Sequence, residues 1–201
     1  MNFKWKDKRL GAGLIAAVIA LTPVALMADD HGDHEDGYRK TATVIRNFEH
    51  NQITLPQLIK TAEKAGKGIA IDVELEDDSP VQKYEITLLS GKEVLSVYLS
   101  AFNGEVIKVG NPEVIHSAVA RITNLYDGLQ SKKVSLQEAV SIAEKYEKGV
   151  AYQAHIEEMD NWTGYEIDLI SNGKQVRIVI DPENGHIVGR KSQDEEDDDE
   201  S

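Results

Sequence analysis

The chain has 201 residues, a formal charge of -13 and no cysteine. The negative charge disfavours nucleic acid and an anionic membrane surface as partners. The missing thiol excludes disulfides, a cysteine nucleophile and Cys-rich zinc sites. No HExxH, no GxSxG and no phosphate-cradling glycine loop occurs, so the chain is not expected to be an enzyme.

The first 28 residues have the layout of a secretory signal peptide. Lys4, Lys6, Lys8 and Arg9 precede an apolar run that ends at Ala28, and Asp29-Asp30 follow at once. A basic start, a short apolar segment and a small residue at the cut predict export and cleavage after Ala28. The expected compartment is a bacterial periplasm, with no membrane association once the segment is removed. Residues 29–37 form an acidic, histidine-containing tail. Cleavage would expose Asp29-Asp30-His31, in which a free amine, two backbone amides and an imidazole can offer four nitrogens in a square to Cu(II) or Ni(II). His34 adds a further ligand, so Asp29, Asp30, His31 and His34 are the candidate metal residues, set against the simpler reading of a solvated tail.

The rest of the chain is a duplication. Leu55 aligns with Leu136, Ala62-Glu63-Lys64 with Ala143-Glu144-Lys145, Lys67-Gly68 with Lys148-Gly149, Tyr84-Glu85-Ile86 with Tyr165-Glu166-Ile167 and Asn103-Gly104 with Asn184-Gly185, all without a gap. A fixed offset with hydrophobic and glycine positions kept marks a repeated structural unit. The units are 38–110, with a core at 53–109, and 111–191, with a core at 134–190.

Each unit is expected to open with a leading helix. Tyr38, Ala42, Ile45 and Phe48 carry helical spacing in the first, and Ile115, Ala118, Val119, Ile122, Leu125 and Leu129 in the second. Asn111-Pro112-Glu113 reads as a helix start, and Asp127-Gly128 and His50-Asn51 as stops. A second helix follows in each, announced by the capping boxes Thr54-Leu55-Pro56-Gln57 and Ser135-Leu136-Gln137-Glu138. Gly68 and Gly149 are expected to release the chain from these helices.

Three alternating runs come next. Ile69, Ile71, Val73 and Leu75 face one way and Asp72, Glu74 and Glu76 the other, and the runs at 84–88 and 95–99 repeat the pattern. The second copy has Val150, Tyr152, Ala154 and Ile156, then Tyr165, Ile167 and Leu169, then Val176, Ile178 and Ile180. Period two with one polar side predicts antiparallel strands covered on one face. Asn172-Gly173 suits a tight hairpin, and Asp181 to Gly185 a longer turn before a short last strand at 186–189. The expected class is α+β: two repeats, each with helix packed on an antiparallel sheet of three to four strands.

This order of elements resembles the PepSY domain. The resemblance rests on the capped helix, the Tyr-Glu-aliphatic strand and the hairpin Ile180-Asp181-Pro182-Glu183-Asn184-Gly185-His186-Ile187, and the first copy has Ser100 where that Asp would fall. The family occurs in propeptides of secreted metallopeptidases, in spore germination control and in periplasmic and membrane proteins. The resemblance implies peptidase inhibition or binding of an extracytoplasmic partner, and it carries over no catalytic residue. The expected partner is an envelope protein such as a peptidase or a sensor, with homodimerisation as a further reading.

Among single residues, Glu85, Glu166 and His155 fall on the polar side of their strands and are expected to be solvated. Tyr84 and Tyr165 are expected to pack beneath the helices as core aromatics. Trp162, placed in a hairpin loop, and Tyr98 are the candidate partner-binding residues. Residues 192–201 are an acidic tail whose like charges resist folding. Its carboxylates could associate weakly with Ca²⁺.

Overall fold

A computed structural model of the chain describes residues 53–76, 82–159 and 162–192. The leading-helix segment of the first repeat, the residues Asp29, Asp30, His31 and His34, and the acidic tail lie outside them.

The first repeat runs α1 (Leu55–Gly66), β1 (Ile69–Glu76), β2 (Lys83–Ser90), β3 (Glu93–Ser100) and β4 (Val106–Val109). A short strand β5 (Glu113–Val114), a 3-10 turn (His116–Ala118) and α2 (Val119–Gln130) lead to the second repeat. That repeat runs α3 (Leu136–Glu147), β6 (Val150–Met159), β7 (Trp162–Ser171), β8 (Lys174–Ile180) and β9 (Ile187–Ser192). Both capping boxes form. The Thr54 N–H donates to Gln57 Oε1 at 3.0 Å, and in α3 the Ser135 N–H donates to Glu138 Oε2 while the Glu138 N–H donates to Ser135 Oγ. Each box satisfies backbone donors that the first helical turn leaves open.

The two repeats share one sheet. Its order is β4-β3-β2-β1-β6-β7-β8-β9, antiparallel throughout, with β5 pairing β3 beside β4. The seam is short: Asp72 opposes His155 and Val73 opposes Ala154. Val73 and Ala154 are the same position in the two copies, so a pseudo-twofold axis passes through that pair. A contact of this kind matches a surface to its own duplicate. α1 and α3 lie side by side on one face of the sheet. Leu55, Leu58, Ile59 and Ala62 of α1, and Leu136, Ala139, Val140 and Ala143 of α3, are buried against Ile86, Leu88, Ile167 and Leu169.

Several expectations need correction. A bulge between Ala70 and Asp72, repeated between Ala151 and Gln153, inserts one residue into the alternation. It brings Ala70 and Ala151, rather than Ile69 and Val150, to the helix side with Val73 and Ala154. The helices are released by Lys67 and Lys148, which take left-handed conformations with φ of 55° and 53°. Gly68 and Gly149 serve close approach instead: a Cβ there would sit 2.7 Å from the Leu89 carbonyl oxygen and 2.5 Å from that of Ile170. Glu113, expected in a helix start, lies in β5, because pairing with β3 gives its backbone a strand partner. α2 therefore begins at Val119, and it runs past Asp127-Gly128 to Gln130. The last strand is Ile187–Ser192 and extends beyond the 186–189 expected. Trp162 is the first residue of β7, paired with Met159, and is not in the loop.

The hairpins behave as read. Asn172 and Gly173 both take positive φ, 51° and 77°, as a two-residue turn between twisted strands requires. Asp181 organises the longer turn, its carboxylate accepting from the Glu183 N–H and from Asn184 Nδ2, each at 2.8 Å. In the first copy Ser100 takes over this role: its Oγ accepts from the Phe102 and Asn103 N–H groups.

Candidate functional site: a buried acid and histidine cluster at the seam

Strand register assembles a polar cluster on the sheet face away from α1 and α3, here called the open face. Asp72 on β1 opposes His155 on β6, and His155 opposes Glu166 on β7. One pair along, Asp168 opposes Arg177 on β8. His155 and Glu166 are only 8% and 6% exposed. This overturns the expectation that they lie on a solvated face. Glu85, their first-repeat neighbour in kind, is half-buried.

Arg177 binds the acids together. Its Nε and Nη2 donate to Asp168 Oδ1 and Oδ2 at 2.7 and 3.0 Å, a bidentate pair, and Nε lies 3.0 Å from Glu166 Oε1. His155 Nε2 is 3.5 Å from Glu166 Oε1 and 3.7 Å from Glu157 Oε2. It is a buried ring nitrogen with no hydrogen-bond partner among the described groups. Burial alone would lower the His155 pKa, but Glu157, Glu166, Asp168 and Asp72 outweigh it and raise the pKa above its ordinary value. Burial raises Glu166 and Asp72 above the usual carboxylate range, against the pull of Arg177 and His155 on Glu166 and of His155 on Asp72. Burial opposes the charge of Arg177, yet the bond to Asp168 holds it firmly protonated.

The first repeat carries a variant of the same arrangement. Glu76 and Glu85 occupy the positions of Glu157 and Glu166 and share a hydrogen bond. Lys83 pairs with Glu76 at 2.8 Å, and the Tyr98 hydroxyl donates to Glu85 at 3.1 Å. Lys83 and Lys108 lie 4.9 and 5.8 Å from the Tyr98 ring centroid, within cation–π reach.

Of the residues singled out by sequence, Tyr98 is therefore half-buried in this group, and the Trp162 side chain lies outside the described residues. Tyr84 and Tyr165 are core aromatics as expected, and the Tyr165 hydroxyl donates to the Val134 carbonyl at 3.0 Å. Among the described residues, no group of three or more His, Asp or Glu has the arrangement of a metal site. Sequence reasoning missed Asp72, Asp168 and Arg177 as partners. The signal was present: a two-residue turn at Asn172-Gly173 pairs Ser171 with Lys174, and counting back along both strands places Asp168 against Arg177. It also missed Glu63 and Glu144. Their carboxylates accept the N–H of Ala70 and Ala151 at 3.0 and 3.1 Å, tying each helix to the strand that follows.

The outer edges of the sheet differ. All four residues of β4 are exposed, with Ile107 at 51%, and the adjoining Phe102 is 65% exposed. In β9 the exposed residues are Val188, at 36%, and Arg190.

A family model described as "Peptidase propeptide and YPEB domain" matches residues 52–109 and 133–191, together more than half of the chain. A search of curated proteins finds no match. Among solved structures, a candidate lipoprotein from Clostridium difficile 630 is similar at 18% identity and a TM-score of 0.42, over 70% of this chain and 93% of that one. The matched segments coincide with the two helix-and-sheet units, and domains of this family are generally non-catalytic and typically extracellular. The chain belongs to the PepSY family and carries two copies of its domain in tandem.

Proposed function

We propose that this protein is an exported, non-catalytic PepSY pair that binds a periplasmic protein, a peptidase being the leading class, and restrains it. The observation that carries the reading is the β4 edge. Val106, Ile107 and Val109 are exposed on a strand whose outer side has no strand neighbour among the described residues, and exposed Phe102 stands beside it. An apolar edge strand is a template for pairing with another chain, and sheet edges are ordinarily guarded by charge, bulges or cover. β9 sets Arg190 and Lys191 beside its one exposed apolar residue, Val188, whereas β4 has Lys108 alone among three exposed apolar residues. An extended segment of the partner would add as a further strand, its backbone giving affinity and its side chains meeting Phe102 and Ile107. The basic and apolar start of the sequence supports export.

The test is capture from an envelope fraction with the purified protein, alongside a proteolysis assay on the same fraction. The wild type is expected to retain a specific partner and slow proteolysis, and Phe102→Lys/Ile107→Lys to lose both while remaining folded. A wild type that captures nothing specific and leaves proteolysis unchanged would refute the proposal.

A further inference from the structure

The β4 edge carries a charge pattern that is complementary to itself. The Ser100 N–H donates to the Glu105 carbonyl at 2.9 Å, so Glu105 continues the ladder one residue before β4. Leu99 then opposes Val106 and Tyr98 opposes Lys108, with Ile107 the extra residue of a bulge. Counted in rungs, Glu105 and Lys108 stand one step to either side of Val106. Cross-strand neighbours share a face of the sheet, which puts Lys108 on the open face with Tyr98, and Glu105 on that face with Ser100.

Backbone direction alternates along an antiparallel ladder. The Glu105 carbonyl and the Gly110 N–H are turned to β3, and Lys108 shares their phase, so the peptide groups of Val106 and Val109 point outward. A strand added there bonds to Val106 and Val109. The residues it sets against Glu105 and Lys108 form non-hydrogen-bonded pairs, in which side chains approach most closely.

Glu105 and Lys108 are the only charged residues between Gly104 and Gly110. Further in on the open face, Lys83 is held by Glu76, and Glu85 accepts the Tyr98 hydroxyl. Lys108 lies near the Tyr98 ring, and neither it nor Glu105 has an ion-pair partner among the described residues. The net charge of -13 opposes bringing two copies together, but salt screens charges separated by more than about 8 Å at physiological strength, which leaves the pattern at the edge to decide. The duplicate edge lacks that pattern. His186, Ile187 and Gly189 hold the positions of Glu105, Val106 and Lys108, and β9 goes on to Arg190 and Lys191 with no acid.

We propose that two copies of the chain pair antiparallel along β4 about a twofold axis at Val106, with Glu105 of each copy against Lys108 of the other. This contact is isologous and its register is specified. An axis at Lys108 sets lysine against lysine, and one at Glu105 sets acid against acid, both destabilising. The dimer rests on the same edge as the partner site proposed above and gives that site a resting state: an incoming strand must displace the second copy. A four-residue strand buries little area, so the pairing is weak enough to displace, with a Kd on the order of 100 µM.

Sedimentation velocity of the purified protein from about 10 to about 500 µM, at about 0.15 M salt, tests this. The wild type should pass from monomer to dimer over that range. Glu105→Lys and Lys108→Glu each turn both attractive pairs into like-charge pairs and should weaken the dimer about tenfold or more. Glu105→Lys/Lys108→Glu exchanges the two charges and should restore the dimer to within about threefold of wild type. An equal mixture of the two single variants should form a dimer of the same strength, because only the mixed pair sets opposite charges together. Restoration by either route supports the proposal. It is overturned by a wild type that stays monomeric throughout, by a dimer that the single changes leave intact, or by failure of both the double variant and the mixture to restore it. Envelope capture measured in parallel separates the dimer from the partner site. A monomeric wild type whose capture is lost in Phe102→Lys/Ile107→Lys removes the dimer alone, and a charge-rescued dimer that captures nothing removes the partner alone.

Discussion

The cluster is most directly tested by removing its cation. Arg177→Met keeps much of the aliphatic stem and deletes the guanidinium, leaving Asp168 and Glu166 as buried carboxylates, with His155 3.5 Å from Glu166. Breaking a buried pair by removing one partner costs about 3–5 kcal/mol. The Arg177 side chain is 43% exposed, so water can reach the acids from its side. That screening brings the expected loss to about 2–3 kcal/mol. For a domain of this size it corresponds to a fall in Tm of about 5–10 °C. Urea unfolding at pH 7.5 reads it directly, with Lys132→Met as control because the Lys132–Glu183 pair is more exposed. The control should cost at most about 0.5 kcal/mol. Adding Asp168→Asn to Arg177→Met should return about 1 kcal/mol or more, since it removes the stranded charge. If Arg177→Met costs no more than the control, or if Asp168→Asn deepens the loss, the cation does not hold these acids in place.

Three further outcomes follow from the same geometry. His155 is faced by Asp72 on β1, Glu157 on its own strand, and Glu166 and Asp168 on β7, with Arg177 beyond them, and its folded pKa is raised. Its protonation therefore favours the fold: the contribution is complete below the ordinary histidine value of about 6.5 and is lost as pH rises through the higher folded value. Wild-type stability measured against His155→Gln should fall between pH 6 and 8, and a difference that grows with pH would contradict the assignment. Gly149→Ala should destabilise by about 1–3 kcal/mol through its clash with the Ile170 carbonyl, whereas Gly128→Ala, in open space on α2, should stabilise by about 0.5–1 kcal/mol. Thermal melts of the two variants in parallel distinguish packing from helix propensity. Chain beginning at Asp29 should give a square-planar Cu(II) spectrum that His31→Ala abolishes, and identical spectra from both would place the copper elsewhere.

Much of the fold was legible because local signals and burial agreed. The capping boxes at Thr54 and Ser135, the Asn172-Gly173 turn and the alternation of Tyr165, Ile167 and Leu169 each need only neighbours in sequence. The errors arose where partners distant in sequence decide. Nothing near Glu113 announces that β3 will take it as a strand. The bulges at Ile71 and Tyr152 look like regular alternation until the partner strand fixes the register. The cluster was misread for a related reason. Polar alternation predicts a polar side to a sheet, but it does not say whether that side meets water. Glu166, Asp168 and Arg177 satisfy one another across β7 and β8, which lets a charged row be buried where isolated acids would be expelled.

The duplication has left its halves unequal in a way that bears on function. Both repeats keep a pair of acids at matching positions, Glu76 with Glu85 and Glu157 with Glu166. The first balances them with Lys83 and Tyr98, and its Glu85 is only half-buried. The second uses His155 and Arg177, whose charges bind the acids into a buried row. Pairing β1 with β6 then removes one edge from each sheet and leaves β4 and β9 at the ends. Of these, the edge belonging to the half with the more open acid pair is the apolar one. A partner that adds to β4 would lie on the same half as Tyr98, Lys83 and Lys108, so recognition by backbone pairing and by charge can act together there. The second half contributes the closed core against which that half is held. Loss of the seam should therefore weaken partner binding without touching β4. Val73→Pro, which puts a proline at the seam in a central strand that cannot accommodate it, should reduce capture by the β4 edge in proportion to the unfolded fraction. Full capture by a protein whose halves no longer pair would show that the first repeat acts alone.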